Sequence, residues 1–474
     1  GVARVGIEAD KIYNVNYMMF QNSNYGNKWF YAFVNKVNYI NNGYSEIEFE
    51  IDVLQTWLFD CKIGSQLIAR QHSRTDAIGD NIVPENIAIP ETITNNYDSI
   101  VDLTKCSLVI SVVANADGTG YFSNGGYYNG VYSGAQLFVF EMNSSNLSNL
   151  KTFLSAYISN PDSILSMYLI PTLALSNANV IKDGENPWYY INGNMDVAEI
   201  DYDLSGYYID GTESFGGASP TGTYTPKNKK LYTYPYNYLS IDNASGSEIN
   251  LRYEFFPDLH PQVRVWYSLI QPVVARLTPK GYKNCGNRGL TTESLDVTNF
   301  PMCSWAYDAF SAWVVQQGAP LAVNTMANVA QVGMGANFGT SASASGLLGT
   351  AINALTQTYE ASIKADNLRG NLNTGCNYLA GKGASFNVTR RCIDAQTCKR
   401  IDDYFTRFGY ALNQIGVPNR DTRPHWNYVK TISASFSGSV PADDMRKIES
   451  IYNNGITFWK KASEVGNYTL DNSV

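Results

Sequence analysis

Between Ala309 and Tyr359 the chain carries no Asp, Glu, Lys or Arg, although 16% of its residues are charged overall. The stretch is rich in Gly, Ala, Ser and Asn. Leu321, Val323, Met326, Val329, Val332, Met334, Phe338, Leu347, Leu348, Ile352 and Leu355 are scattered through it. A surface loop this long would carry charges, and a packed core would show denser, more periodic hydrophobes. A helical membrane span takes roughly 20 apolar residues, and each central charge costs about 2.5–3.5 kcal/mol on insertion scales. Here that penalty is removed over a length that could cross twice. Gly333, Gly335, Gly339, Ala342, Ala344, Gly346, Gly349 and Ala351 permit close helix packing. Asn324, Asn328, Gln331, Asn337 and Asn353 make a lone span unfavourable. The segment therefore suits burial inside an assembly in water and, in several copies, a polar pore in lipid. The plainer alternative is a flexible linker or an arm buried at an interface.

A chain of 474 residues has room for roughly two to four domains. A net charge of −8 and a pI near 5.1 exclude a protein that grips nucleic acid through clustered Lys and Arg. An acidic protein can still conduct DNA by repelling it. The 34 tyrosines and plentiful asparagines favour β-rich, interface-heavy structure over a helical enzyme. Seven irregularly spaced cysteines (Cys61, Cys106, Cys285, Cys303, Cys376, Cys392, Cys398) include no CxxC, so free thiols are expected. The chain opens without Met and without a leader pattern, as a processed or truncated product would.

The aromatic run Trp29–Val34 and the turn Asn41-Asn42-Gly43 precede a period-two stretch. There Glu46, Glu48, Glu50 and Asp52 alternate with Ile47, Phe49, Ile51 and Val53, which predicts a half-buried strand with an acidic outer face. That face is either solvated and paired with Lys and Arg, or a surface that repels phosphates. Further strands are expected at Ser107–Ala114, Gln136–Glu141, Glu248–Phe256 and Val263–Leu269. A helix capped by Ser144 or Ser145 places Leu147, Leu150, Phe153, Leu154, Tyr157 and Ile158 on one stripe and ends at Pro161. Residues 175–230 read as short-stranded or loop-rich. Asp394 can cap a helix carrying Ile401, Tyr404, Phe405, Phe408 and Leu412 on one side. Another helix starts near Pro441, with Asp443 and Asp444 at its positive end, turns Met445, Ile448, Ile451 and Tyr452 inward, and stops at Gly455.

No catalytic or cofactor motif emerges. His72, His260 and His425 lack ligand-spaced neighbours and read as structural. Gly381-Lys382 misses the phosphate-loop spacing, Gly333, Gly335 and Gly339 miss the dinucleotide fingerprint, and Asn115, Asp117 and Thr119 lack a closing Glu for calcium. No metal, no cofactor and no enzymatic activity are expected.

Several runs are long and specific. Asn16–Asn22, Tyr25–Val34 and Phe49–Trp57 come first. Phe408-Gly409-Tyr410, Val417-Pro418-Asn419, His425–Val429, Asn454–Trp459 and Gly466-Asn467-Tyr468 follow near the other end. In these runs the chain resembles the tail knob proteins of short-tailed, picovirus-type phages of Gram-positive bacteria. The resemblance brackets almost the whole chain and is weak between about 100 and 300, where Tyr234-Pro235-Tyr236 is the clearest match. It implies a mainly β, α+β fold of tail-tube-type β-barrel domains from discontinuous segments, with a few helices and a long uncharged loop. It also implies a homohexameric ring, contacts with upper-tube, collar and tip proteins, and double-stranded DNA passing through without specific binding. The long loop would plug the lumen and then enter the host cell membrane as a pore. The family pattern extends some tens of residues ahead of Lys11–Asn22.

The expected divisions are tube strands over 1–140, a central insertion over 141–235, tube strands over 236–308, the membrane-active loop over 309–375 and a C-terminal tube domain over 376–474. Glu46, Glu48, Glu50 and Asp52 are expected at the DNA passage or the inter-subunit seam. The rival readings are a passive tail conduit and a receptor-binding or cell-wall-degrading tail component.

Overall fold

In the computed structural model, residues 1–103, 105–117, 127–128, 131–132, 135–141, 146–157, 163–192, 194–195, 198–216, 222–244, 246–268, 273–284, 293–298, 300, 302–305, 370–373 and 385–474 are described. Strands predominate and helices are few. The chain forms two units, each discontinuous in sequence. The first comprises Gly1–Pro90, Tyr224–Leu231 and Ala395–Val474, and the second Glu91–Thr223 and Tyr232–Asp394.

The first unit begins with a four-stranded antiparallel sheet. Its strands run in the order Val2–Val5, Tyr44–Ile51, Lys28–Asn41, Tyr17–Asn22. The expected Asn41-Asn42-Gly43 turn joins the central pair, and the Asn41 side chain accepts from Gly43 N at 3.0 Å. One face of the sheet is apolar. Phe30 and Ile47 are 6% exposed, Ala32 is fully buried, and Phe30 joins Val53, Trp57, Val429, Ile448 and Tyr452 in a core cluster. Burying a side chain of this class stabilises by about 1.5–3 kcal/mol. Trp57 enters through the short helix Val53–Trp57, whose N-cap Asp52 accepts from Gln55 N at 3.0 Å. Its indole then donates to Asp444 at 2.9 Å.

Asp444 lies in the first turn of the helix Ala442–Asn454, which starts after Pro441 and stops at Gly455 (φ 97°), as expected. Ile448 and Tyr452 are fully buried on that helix, while Met445 and Ile451 are half-buried. A second sheet orders the strands Tyr410–Gly416, Gln66–Gln71, Trp426–Ile432 and Ile456–Trp459. The helix Ala395–Phe408 turns Cys398, Ile401, Asp402 and Phe405 inward. It corrects the expected stripe, because Leu412 lies in the strand beyond and Tyr404 is 37% exposed. Gly409 ends this helix in the left-handed region (φ 61°), and a Cβ there would collide with the backbone of Gln71 and His72.

The second unit holds three four- or seven-stranded sheets. The largest orders Val180–Lys182, Tyr189–Ile191, Gln136–Glu141, Cys106–Val112, Ile164–Pro171, Met302–Trp305 and Gly370–Asn373. The central strand Cys106–Val112 is buried along its whole length, as a strand covered on both faces must be. The helix Asn146–Ala156 buries Leu150, Phe153 and Leu154. The expected caps Ser144 and Ser145, and Ile158 and Pro161, lie outside the described residues. The strand expected over Glu248–Phe256 ends at Leu251. The backbone turns through Tyr253–Phe255 ahead of Pro257, which has no N–H to continue a ladder. The strand expected over Val263–Leu269 spans Gln262–Tyr267.

Candidate functional site

The acidic residues singled out from the sequence sit on the outward face of the first sheet. Glu46, Glu48 and Glu50 alternate along Tyr44–Ile51, and Asp52 follows as the helix cap. Cross-strand register decides what shares their face, because directly opposed residues of an antiparallel pair point the same way. Arg4 opposes Glu46, Val2 opposes Glu48, and on the other side Lys36 opposes Glu48 and Phe33 opposes Glu50. Phe33 in turn opposes Tyr17, Tyr31 opposes Met19, and Trp29 opposes Gln21.

The face is thus a carboxylate row flanked by an aromatic patch. In that patch Tyr17 is 38%, Trp29 44%, Phe33 50% and Met19 59% exposed. The Tyr17 and Phe33 rings meet edge to face at 5.3 Å. This patch was not anticipated. It depends on the register of two strands and on a bulge between Val34 and Lys36, neither of which a single strand's periodicity carries.

Each carboxylate has a neighbour. Glu46 lies 3.4 Å from Arg4, Glu48 accepts from Asn38 Nδ2 at 2.8 Å, and Glu50 lies 3.7 Å from Lys447. Exposed pairs of this kind contribute about 0–1 kcal/mol, and with Lys36 opposite Glu48 three cations stand among the four carboxylates. Asp52 accepts from Tyr17 Oη at 3.0 Å. Partial burial, followed by that hydrogen bond, holds the Tyr17 phenol protonated above its usual range.

Leu321, Val323, Met326, Val329, Val332, Met334, Phe338, Leu347, Leu348, Ile352 and Leu355 lie outside the described residues. The described backbone nevertheless places the root of that segment. The strand Met302–Trp305 pairs on one side with Ile164–Pro171 through Ser166↔Ser304. On the other it pairs with Gly370–Asn373, where Trp305 opposes Gly370. Trp305 and Gly370, the described residues that flank this segment, thus sit on hydrogen-bonded neighbouring strands, with paired Cα atoms about 5 Å apart. Among the described residues Gly370–Asn373 is the last strand of the sheet.

The histidines occupy structural positions. Buried His72 accepts from Tyr428 N at 2.8 Å and sits 3.0 Å from the Thr406 carbonyl, and burial pulls it down to about 4. His425 lies 2.8 Å from Glu464, and His260 stacks on Tyr208 at 4.0 Å. Among the described residues no cluster of His, Cys, Asp or Glu is arranged to hold a metal, and no helix is long and apolar enough to cross a membrane. Cys61, Cys106, Cys392 and Cys398 are free thiols.

Residues 206–473 match the C-terminal domain model of the Bacillus phage phi29 tail knob protein gp9, and residues 1–62 match that of the Caudoviral major tail protein N-terminus. The tail knob protein gp9 of Bacillus phage phi29 is 26% identical over 545 aligned residues, covering 99% of this chain and 89% of the relative. The gp9 of Bacillus phage B103 is 25% identical over 542, with the same coverage. The bacteriophage C1 tail knob protein gp12 shares the fold with a TM-score of 0.64 at 16% identity, over 100% of this chain and 90% of that one. The gp9 model spans more than half of the sequence, and the mainly β architecture agrees with it. The chain belongs to the phage tail knob family, as a structural component of the virion's tail.

Proposed function

We propose that six copies of this chain form the distal tube of the tail, through which double-stranded DNA passes. In this reading the uncharged segments first plug the lumen and, on infection, form a pore in the host cell membrane. The root of the insertion carries the proposal. A segment that starts and ends on adjacent, hydrogen-bonded strands at a sheet edge can change its surroundings without unravelling the sheet behind it. Its freedom from charge over Ala309–Tyr359 removes the largest cost of entering lipid.

Ring formation is supported by the first sheet. Its outer strands, Val2–Val5 and Tyr17–Asn22, have no strand neighbour on their outer edges among the described residues. An unpaired edge is a ready template for pairing with another chain, and two different edges on one sheet suit a head-to-tail contact that closes into a ring. A lumen lined by Glu46, Glu48, Glu50 and Asp52 would repel phosphates and let the polyanion slide. Upper-tube, collar and tip proteins are the expected neighbours in the tail. Electron microscopy of the purified chain tests the ring. Six-fold annular particles with the acidic row facing the channel are expected, and particles with that row on the outer wall would sink the lumen assignment.

A further inference from the structure

We propose that a cleft in the second unit is a binding site for a neutral saccharide, with Tyr189 as the platform on which a pyranose ring stacks. The cleft lies where the strands Gln136–Glu141, Tyr189–Ile191 and Val180–Lys182 meet the segment that follows Ile164–Pro171. Its volume is about 630 Å³, within the range of small-molecule sites. Val139, Leu175, Ala178 and Val180 supply its apolar lining, and Thr172, Ser176 and Glu141 its polar side chains.

Both walls are fixed before any ligand arrives. On one side Asp183 N donates to the Trp188 carbonyl at 3.1 Å, and the Trp188 indole donates to the Asp183 carboxylate at 2.9 Å. Trp188 also packs edge-on against buried Phe153 at 5.3 Å. These contacts hold the hairpin that carries Tyr189. On the other side Thr172 N donates to the Lys105 carbonyl at 2.8 Å, Ser176 N to Leu173 at 3.1 Å, and Ala178 N to Leu175 at 3.0 Å. Tyr189 opposes Val139 across the strand pair. Val139 is 5% exposed, yet the Tyr189 ring stays 45% exposed and open to a ligand.

The lining chemistry narrows the ligand. Among the described residues lining the cleft there is no Lys or Arg, and Glu141 is the one carboxylate; exposed Lys182 opposes Tyr189 on the neighbouring strand. The carboxylate within the lining disfavours phosphates and acidic polymers at the depth of the cleft. The Thr172 hydroxyl lies 3.0 Å from Ser107 Oγ, while the Ser176 hydroxyl is exposed at the mouth, where an acyl chain would cover it. A pyranoside offers one face of C–H groups to an aromatic ring and a rim of hydroxyls to polar side chains. A tail component carrying such a cleft can hold a surface glycan while other parts of the tail act.

The test is saturation-transfer NMR on the intact chain with N,N′-diacetylchitobiose and maltose as probes and glycerol 1-phosphate as the anionic control. Saturable transfer from at least one sugar and none from the phosphate is expected. Tyr189→Phe should bind within about twofold of the parent and Tyr189→Ala about tenfold more weakly, the loss of one stacking contact. Ser176→Trp, which fills the cleft while leaving the Tyr189 hairpin intact, should abolish transfer. No saturable transfer from either sugar to the intact chain, or transfer that survives both Tyr189→Ala and Ser176→Trp, overturns the proposal.

Discussion

Asp402 offers a sharp test of how the first unit is held together. Its carboxylate is 1% exposed and gathers the segment Tyr224–Leu231 against the helix Ala395–Phe408. It accepts from Tyr224 Oη at 2.6 Å, Lys227 N at 2.9 Å, Asn228 N at 3.0 Å and Asn228 Nδ2 at 2.7 Å. Asp402→Ala removes the acceptor of all four, though Asn228 Nδ2 still reaches the Asp402 carbonyl at 3.1 Å and Thr406 Oγ1 at 2.8 Å. Water can reach the half-exposed Tyr224 hydroxyl, but the Asn228 N–H is buried. At about 1–3 kcal/mol for each donor left unsatisfied, and counting the two backbone N–H groups, the loss should be about 2–6 kcal/mol.

Asp402→Asn keeps one acceptor oxygen and turns an NH₂ toward the remaining donors, so its loss should fall between that of the Ala variant and none. Urea unfolding followed by the fluorescence of Trp57, Trp426 and Trp459 measures both variants. Limited proteolysis should show new cleavage within 224–231 in the Ala variant first. An Ala variant within about 1 kcal/mol of the parent, with 224–231 still resistant, would refute the argument that this carboxylate fastens the segment.

Two further outcomes follow from the same unit. His72 titrates at about 4 when folded against an ordinary 6.5, so between those values the unfolded chain binds the extra proton and stability falls as pH falls. His72 is 2% exposed, and the full difference is about 3 kcal/mol; His72→Gln should lose that part of the pH slope, and an unchanged slope in the variant would contradict the assignment. Gly409→Ala should destabilise by about 2 kcal/mol or more, because the backbone there is left-handed and the Gln71 carbonyl cannot move away; a midpoint in urea equal to the parent's would contradict it.

Much of the local structure could be read from the sequence. The Asn41-Asn42-Gly43 turn, the period-two strand after it and the Pro441 and Gly455 limits of the helix are signals carried within a few residues. Gln136–Glu141 was readable for the same reason. Leu412 was misplaced because the amphipathic stripe continues in the residue pattern past Gly409, where the backbone no longer does. The candidate site divides in the same way. The carboxylate row is a local pattern. The aromatic patch beside it needs the register between strands, and the fastening of 224–231 joins residues more than 170 positions apart. The root of the insertion pairs Trp305 with Gly370 through strands of four residues each, too short to show a period.

The insertion between Trp305 and Gly370 is proposed to breach a membrane. Its most direct measurement is dye release from liposomes by the intact chain and by a variant in which a short Gly/Ser turn replaces 306–369. Leakage is expected from the intact chain, and none from the variant, which still assembles its ring. Equal release by both proteins, or none from the intact chain under any condition that exposes the insertion, would contradict it.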